Sequence, residues 1–121
     1  MARSSQQDLS LVLATAPDAA TAERIARTLV EERLVACVTI VPGATSVYRW
    51  QGEVRQEGEL QMLMKTRSSL LSRLFRRVQE LHPYDVPEVV SAPIEHGLLR
   101  YTRWVAEETR AADAERGNQG G

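Results

Sequence analysis

His82 and Cys37 are the two side chains in this sequence with the clearest capacity for chemistry. His82 stands in ELHPYDVPEVV, residues 80–90, between a run of helical character and a proline. Cys37, the sole cysteine, stands in LVACVTIV, residues 34–41. Imidazole and thiolate are ligands favoured by copper and zinc, and copper(I) in particular is thiophilic. Asp85, three residues beyond His82, is placed to pair with the ring and fix its tautomer. Each of these has an ordinary reading as well. The residue before a proline is pushed out of the helical region, so His82 ends a helix, where an imidazolium meets the dipole and the last free carbonyls. A buried strand cysteine without a basic neighbour is an unreactive, small apolar residue.

Lys65 is the third candidate. In LQMLMKTR, residues 60–67, alternation puts Glu59, Gln61, Leu63 and Lys65 on one face and Leu60, Met62, Met64 and Thr66 on the other. A lysine among apolar strand residues needs a carboxylate partner or a wet pocket. An ion pair is the commoner outcome and an anion-binding cleft the alternative. The methionines at this spacing read as core rather than thioether ligands. RQEGE, residues 55–59, reads as a solvated charge pattern, and His96 before Gly97 as a turn. Two histidines and one cysteine over 121 residues form no ligand cluster in sequence. Enzyme signatures are also missing: there is no glycine-rich phosphate loop, GxSxG, HExxH or CxxC. The expectation is a binding protein, not an enzyme.

The elements that must position these residues follow from periodicity. Leu9–Thr15 alternates as a strand, and Asp18 caps a helix over Ala19–Arg33 with Ala22, Ile25, Ala26, Leu29 and Val30 on its apolar stripe. LVACVTIV is a second strand, stopped by Pro42-Gly43. Ala44–Thr66 reads as a long hairpin with an irregularity at Gly52 or Gly58. Ser68 or Ser69 caps a helix ending near Leu81; Val89–Ile94 is a strand; Leu98 to about Arg110 is a last helix. The order βαββαβ, then α, predicts an α+β ferredoxin-like antiparallel sheet with two helices on one face and an added C-terminal helix.

That plan leaves one sheet face without helices, yet both faces carry apolar residues. The C-terminal helix covers part of the bare face and a neighbouring subunit is the other candidate. The hairpin arm, with Tyr48, Arg49 and Trp50 near its far end, argues for the neighbour, because aromatics that cannot reach their own core pack against another chain. The sequence therefore predicts a homo-oligomer with Tyr48, Arg49 and Trp50 at the interface. Length and composition suit one domain: residues 1–8 a flexible start, 9–110 the domain, 111–121 a disordered tail. A hydrophobic fraction of 43%, a charged fraction of 26% and a net charge of −1 give no reason to expect nucleic acid or membrane as partner. One thiol and no signal-like start point to the cytoplasm.

Taken together, TAPD at 15–18, PGATSVYRW at 42–50, EGELQMLMKT at 57–66 and HPYDVPE at 82–88 closely resemble the CutA family, whose name refers to divalent-cation tolerance. The resemblance runs from about Leu11 to Trp104. It implies a ferredoxin-like subunit, a tight homotrimer resembling the PII signalling proteins, a cytoplasmic setting, and a link to copper and other divalent ions without an organic cofactor. It also implies copper ligands at a first-strand cysteine, at the cysteine of the AC strand and at histidines of the HPY loop. Those positions here are Ala14, Cys37 and His82, with Leu81 where some members carry a second histidine. Three functions stand open. One is a metal-binding homotrimer, copper foremost, using His82 and Cys37. The second is a PII-like regulator taking a small anion or nucleotide in intersubunit clefts lined by Lys65, His82, Tyr84, Trp50 and Asp85. The third is a structural role in which the trimer presents a surface to a partner protein.

Overall fold

The computed structural model describes residues 8–113. The expectations for residues 1–7 and 114–121 lie outside these. The elements are β1 (Leu9–Ala16), α1 (Ala19–Glu31), β2 (Cys37–Trp50), β3 (Glu53–Arg67), α2 (Leu71–Leu81), β4 (Val89–Ile94) and α3 (Leu99–Glu108). The four strands pair antiparallel in the order β2-β3-β1-β4. This is the α+β ferredoxin-like plan that the element order predicts.

The helix-covered face holds the main core. Val12 pairs with Met64 and Ala14 with Met62. These residues pack with Ile25 and Leu29 of α1 and Leu74 and Val78 of α2, all fully buried. Each such large side chain contributes about 1.5–3 kcal/mol by leaving water. Ala14, the position where the resemblance implies a ligand cysteine, is therefore a core residue.

α1 begins at Asp18, whose side chain accepts the Thr21 N–H at 2.8 Å. It ends at Glu31, two residues short of the expected Arg33. Arg33 takes the left-handed conformation (φ 61), its N–H reaching the Val30 carbonyl and the Leu34 N–H the Leu29 carbonyl. This is a Schellman closure with arginine where glycine is usual. α2 differs from expectation at its start. Neither Ser68 nor Ser69 caps it; a 3-10 turn over Ser68–Leu70 precedes the helix without a side-chain cap. The two hydroxyls bond elsewhere, Ser68 with Ser10 at 2.7 Å and Ser69 with Asp113 at 2.8 Å.

The largest correction concerns the second strand. It does not stop at Pro42-Gly43 but runs on to Trp50, and the irregularity lies at that dipeptide, not at Gly52 or Gly58. Val41 pairs with Gln61 and Ala44 with Glu59, so two residues of β2 face one of β3. Gly43 absorbs this bulge at φ 78. One extra residue inverts the alternation, so Ala44, Ser46, Tyr48 and Trp50 continue the face begun by Cys37, Thr39 and Val41. Gln51 and Gly52, both at positive φ, close the hairpin as the two-residue turn that suits strand twist.

Opposite the helices, α3 covers one end of the sheet, where Val105 and Ala106 pack with Leu9, Ala36 and Ile94. Packed structure continues past Arg110, since Ala112 is buried in the main core and Arg73 donates to its carbonyl at 2.9 Å. The middle of this face is open and largely apolar. Across the four strands run the rows Thr39, Leu63, Leu13, Val90 and Cys37, Lys65, Leu11, Ala92. Val90 and Val41 are 53% and 41% exposed.

Two carboxylates tie the fold to pH. The backbone N–H of Thr21 holds Asp18 below its usual 3.8. The Arg77 guanidinium, bonded to both Glu32 oxygens at 2.9 and 2.8 Å, holds Glu32 below 4.5. A depressed folded-state pKa contributes stability that is complete above the unfolded value and disappears as pH falls through the folded one. Urea midpoints are accordingly expected to drop on acidification from about pH 5 to about pH 3. The Asp18→Asn, Glu32→Gln double variant should show a shallower slope over that window.

Candidate functional site

The HPY loop is fixed by backbone contacts. α2 ends at Leu81; His82 is its C-cap in extended conformation, as the following proline requires. The ring is 6% exposed. Its Nε2 donates to the Thr15 carbonyl at 2.8 Å, and its Nδ1 accepts the Tyr84 N–H at 3.1 Å. Both nitrogens are thus committed to backbone, and it is Tyr84, not Asp85, that sets the tautomer. The ring serves a strand carbonyl and a loop amide instead of the end of its own helix. Leu81 beside it packs against the main core. Gln79 anchors the loop further by donating to the Asp85 carbonyl at 2.7 Å.

Cys37 lies elsewhere. It pairs with Lys65 on the face opposite α1 and α2, and its Sγ sits 3.4 Å from the Tyr101 hydroxyl. Burial and that contact push the Tyr101 phenol up to about 12. Lys65 lies over the Tyr101 ring, 5.8 Å from its centroid. The Cys37 row and the Thr15 row, which His82 touches, are four residues apart on β3, about 13 Å. One chain does not bring Cys37 and His82 together. Among the described residues no three His, Cys, Asp or Glu side chains converge to hold a metal ion.

What the fold does assemble is a groove of about 630 Å³ between the hairpin arm and the 82–88 loop. The bulge places Tyr48 and Trp50 in its wall, and the loop adds Tyr84 and Asp85. Arg49, next to Trp50 but on the other side of the strand, is not part of this wall. Glu57, Glu59 and Glu88 complete an acidic lining. Tyr48 donates to Glu57 at 2.7 Å, and this bond raises the Tyr48 pKa. The Tyr84 phenol is also raised, first by burial and then by the charges of Glu59, Glu57 and Asp18. Arg55, the one cation in the lining, leans toward Glu53 at 3.7 Å.

Of the residues assigned to a cleft, Trp50, Tyr84 and Asp85 come together here and Lys65 does not. It is six residues from Glu59 along β3, about 20 Å. Glu57 and Glu59 were missed because RQEGE reads as a solvated run. The available signal was the period-two alternation that places Glu59 on one face with Leu63.

A four-stranded ferredoxin-like sheet with an overlong hairpin defines the class of fold. The sequence model of the CutA1 divalent ion tolerance protein matches residues 10–108, and the chain belongs to this family. It is 52% identical over 99 residues to the divalent-cation tolerance protein CutA of Thermus thermophilus, covering 82% of this chain and 96% of that one. A solved structure of a divalent cation tolerance protein from Thermus thermophilus superposes with a TM-score of 0.82 at 51% identity, covering 84% of this chain and 98% of that chain. Human Protein CutA is 41% identical over 85% of this chain, which spans 58% of that longer relative. A structure titled a periplasmic divalent cation tolerance protein, from Archaeoglobus fulgidus, has a TM-score of 0.81 at 36% identity, covering 84% of this chain and 98% of that chain.

Proposed function

We propose that this chain is a homotrimeric binding protein that takes divalent cations at its acid-lined grooves, in the cytoplasm, without catalysing a reaction. One observation carries the reading: four carboxylates line the groove against one arginine, and that arginine is turned to Glu53. Such a lining concentrates cations and repels anions. The anion alternative rests on Lys65 in a cleft between subunits; within one chain Lys65 lies about 20 Å along β3 from Glu59. The names of the relatives point to divalent metal ions as the cation class.

Copper at Cys37 and His82 would need two subunits to bring the donors together, and His82 would have to give up a backbone hydrogen bond. The groove needs neither. Its oxygen donors suit hydrated, oxygen-seeking ions better than copper(I). The open apolar face and the exposed arm support assembly around these grooves.

Titration of zinc, manganese and copper tests the reading. The Asp85→Asn, Glu88→Gln double variant is expected to lose about tenfold in divalent-ion affinity at low salt, while Cys37→Ser binds as wild type. Binding abolished by Cys37→Ser and untouched by the carboxylate changes would restore the thiol site.

A further inference from the structure

Arg33 occupies a backbone position that favours glycine. At φ 61 it closes α1 in the left-handed region, where a Cβ is strained and glycine is not. What glycine lacks is the side chain. The Arg33 guanidinium reaches α3: its Nη1 donates to the Glu108 carbonyl at 3.2 Å and meets the Glu108 carboxylate at 3.3 Å. Arg67 makes a second tie two residues back, its Nε and Nη2 donating to the Ala106 carbonyl at 2.9 and 2.7 Å. Two arginines from separate parts of the fold thus hold the last turn of α3.

Within one chain α3 has little else to hold it. Of its ten residues only Val105 and Ala106 are buried, and they pack with Leu9 and Ala36 in a cluster separate from the main core. The helix is also bounded at both ends. Loop 95–98 joins it to β4, and at Thr109 the backbone leaves the helical region (φ −108, ψ 4) before Ala112 rests in the main core. A segment with few buried apolar contacts, held by polar bonds that water can replace, opens at a lower free energy than the whole fold. Beneath it lie Cys37 and Lys65, cross-strand neighbours that Tyr101 of α3 meets through its hydroxyl and its ring.

We propose that α3 is a strap that opens as a unit, latched by Arg33 and Arg67, and that its opening bares Cys37 and Lys65 while the sheet and the main core stay folded. The strap lies apart from the groove and stands whatever the groove takes.

Hydrogen exchange of the intact assembled protein across a urea series tests this. Amides of residues 99–108 are expected to exchange with a urea slope well below that of β1 and β3, and alkylation of Cys37 by N-ethylmaleimide should share the shallow slope. Arg33→Gly separates the latch from the backbone. It relieves the strain and deletes the guanidinium, so the urea midpoint of global unfolding should hold or rise, while α3 exchange and Cys37 alkylation both quicken about threefold. Arg67→Met should quicken them about tenfold or more. If that variant fails to fold, Arg33→Gly decides alone. One urea slope shared by α3 and the strands overturns the proposal, because α3 then opens only with the whole fold. An Arg33→Gly protein with unchanged α3 exchange overturns the latch. Alkylation that slows as protein concentration rises also overturns the proposal, since a neighbouring subunit, not α3, is then the cover over Cys37.

Discussion

His82→Ala is expected to lower the free energy of unfolding by about 2–4 kcal/mol, among the largest effects of any single change in this chain. The substitution strips a partner from the buried Thr15 carbonyl and from the Tyr84 amide, and leaves the volume of an imidazole empty. Urea unfolding measures the loss. His82→Asn separates the two contacts: its side-chain oxygen can still accept the Tyr84 N–H, while the bond to Thr15 is lost. It should fall between wild type and alanine. The same variants bear on metal binding. Since His82 holds the loop that carries Tyr84 and Asp85 into the groove, its removal is expected to disturb ion binding whether or not the ring is a ligand. Affinity that tracks stability across the two variants marks a positioning role; affinity lost equally in both, out of step with stability, marks a ligand.

Leu13→Glu carries the second large effect. Leu13 sits in the row Thr39, Leu63, Leu13, Val90 that crosses the open sheet face. In a single chain a glutamate there keeps access to water and the fold survives. In an assembly closed over that face it becomes a buried, unpaired charge, costing several kcal/mol. The dissociation constant is expected to rise by about a thousandfold or more, with little change in circular dichroism. Sedimentation velocity at matched concentrations reads the difference. A variant that stays assembled would place the contact elsewhere, the hairpin arm being the remaining candidate.

Much of the fold could be read from the sequence because its signals are local. The alternation in LSLVLATA and the apolar stripes of α1 and α2 each concern residues within one element. The open apolar face was legible for the same reason, since both parities of β1 and β2 are hydrophobic. The bulge was not, because Pro-Gly normally ends a strand and only the pairing with β3 shows Gly43 bending through one. The site was less legible than the fold. The role of His82 depends on the Thr15 carbonyl, 67 residues away, which no spacing rule reaches. Lys65 and Tyr84 lie apart along the sheet of one chain, and the cleft expected of them is one between subunits, which no spacing within a sequence reaches. Glu59 was hidden in a charged run, and its burial appears only when the arm and the 82–88 loop face each other.

The proposed trimer requires that protomers join over the bare sheet face. Sedimentation equilibrium of the wild-type protein at submicromolar concentration, in a metal chelator, tests this most directly. The account predicts one species at three times the 13.5 kDa chain mass. A well-folded single chain of 13.5 kDa under those conditions would contradict it.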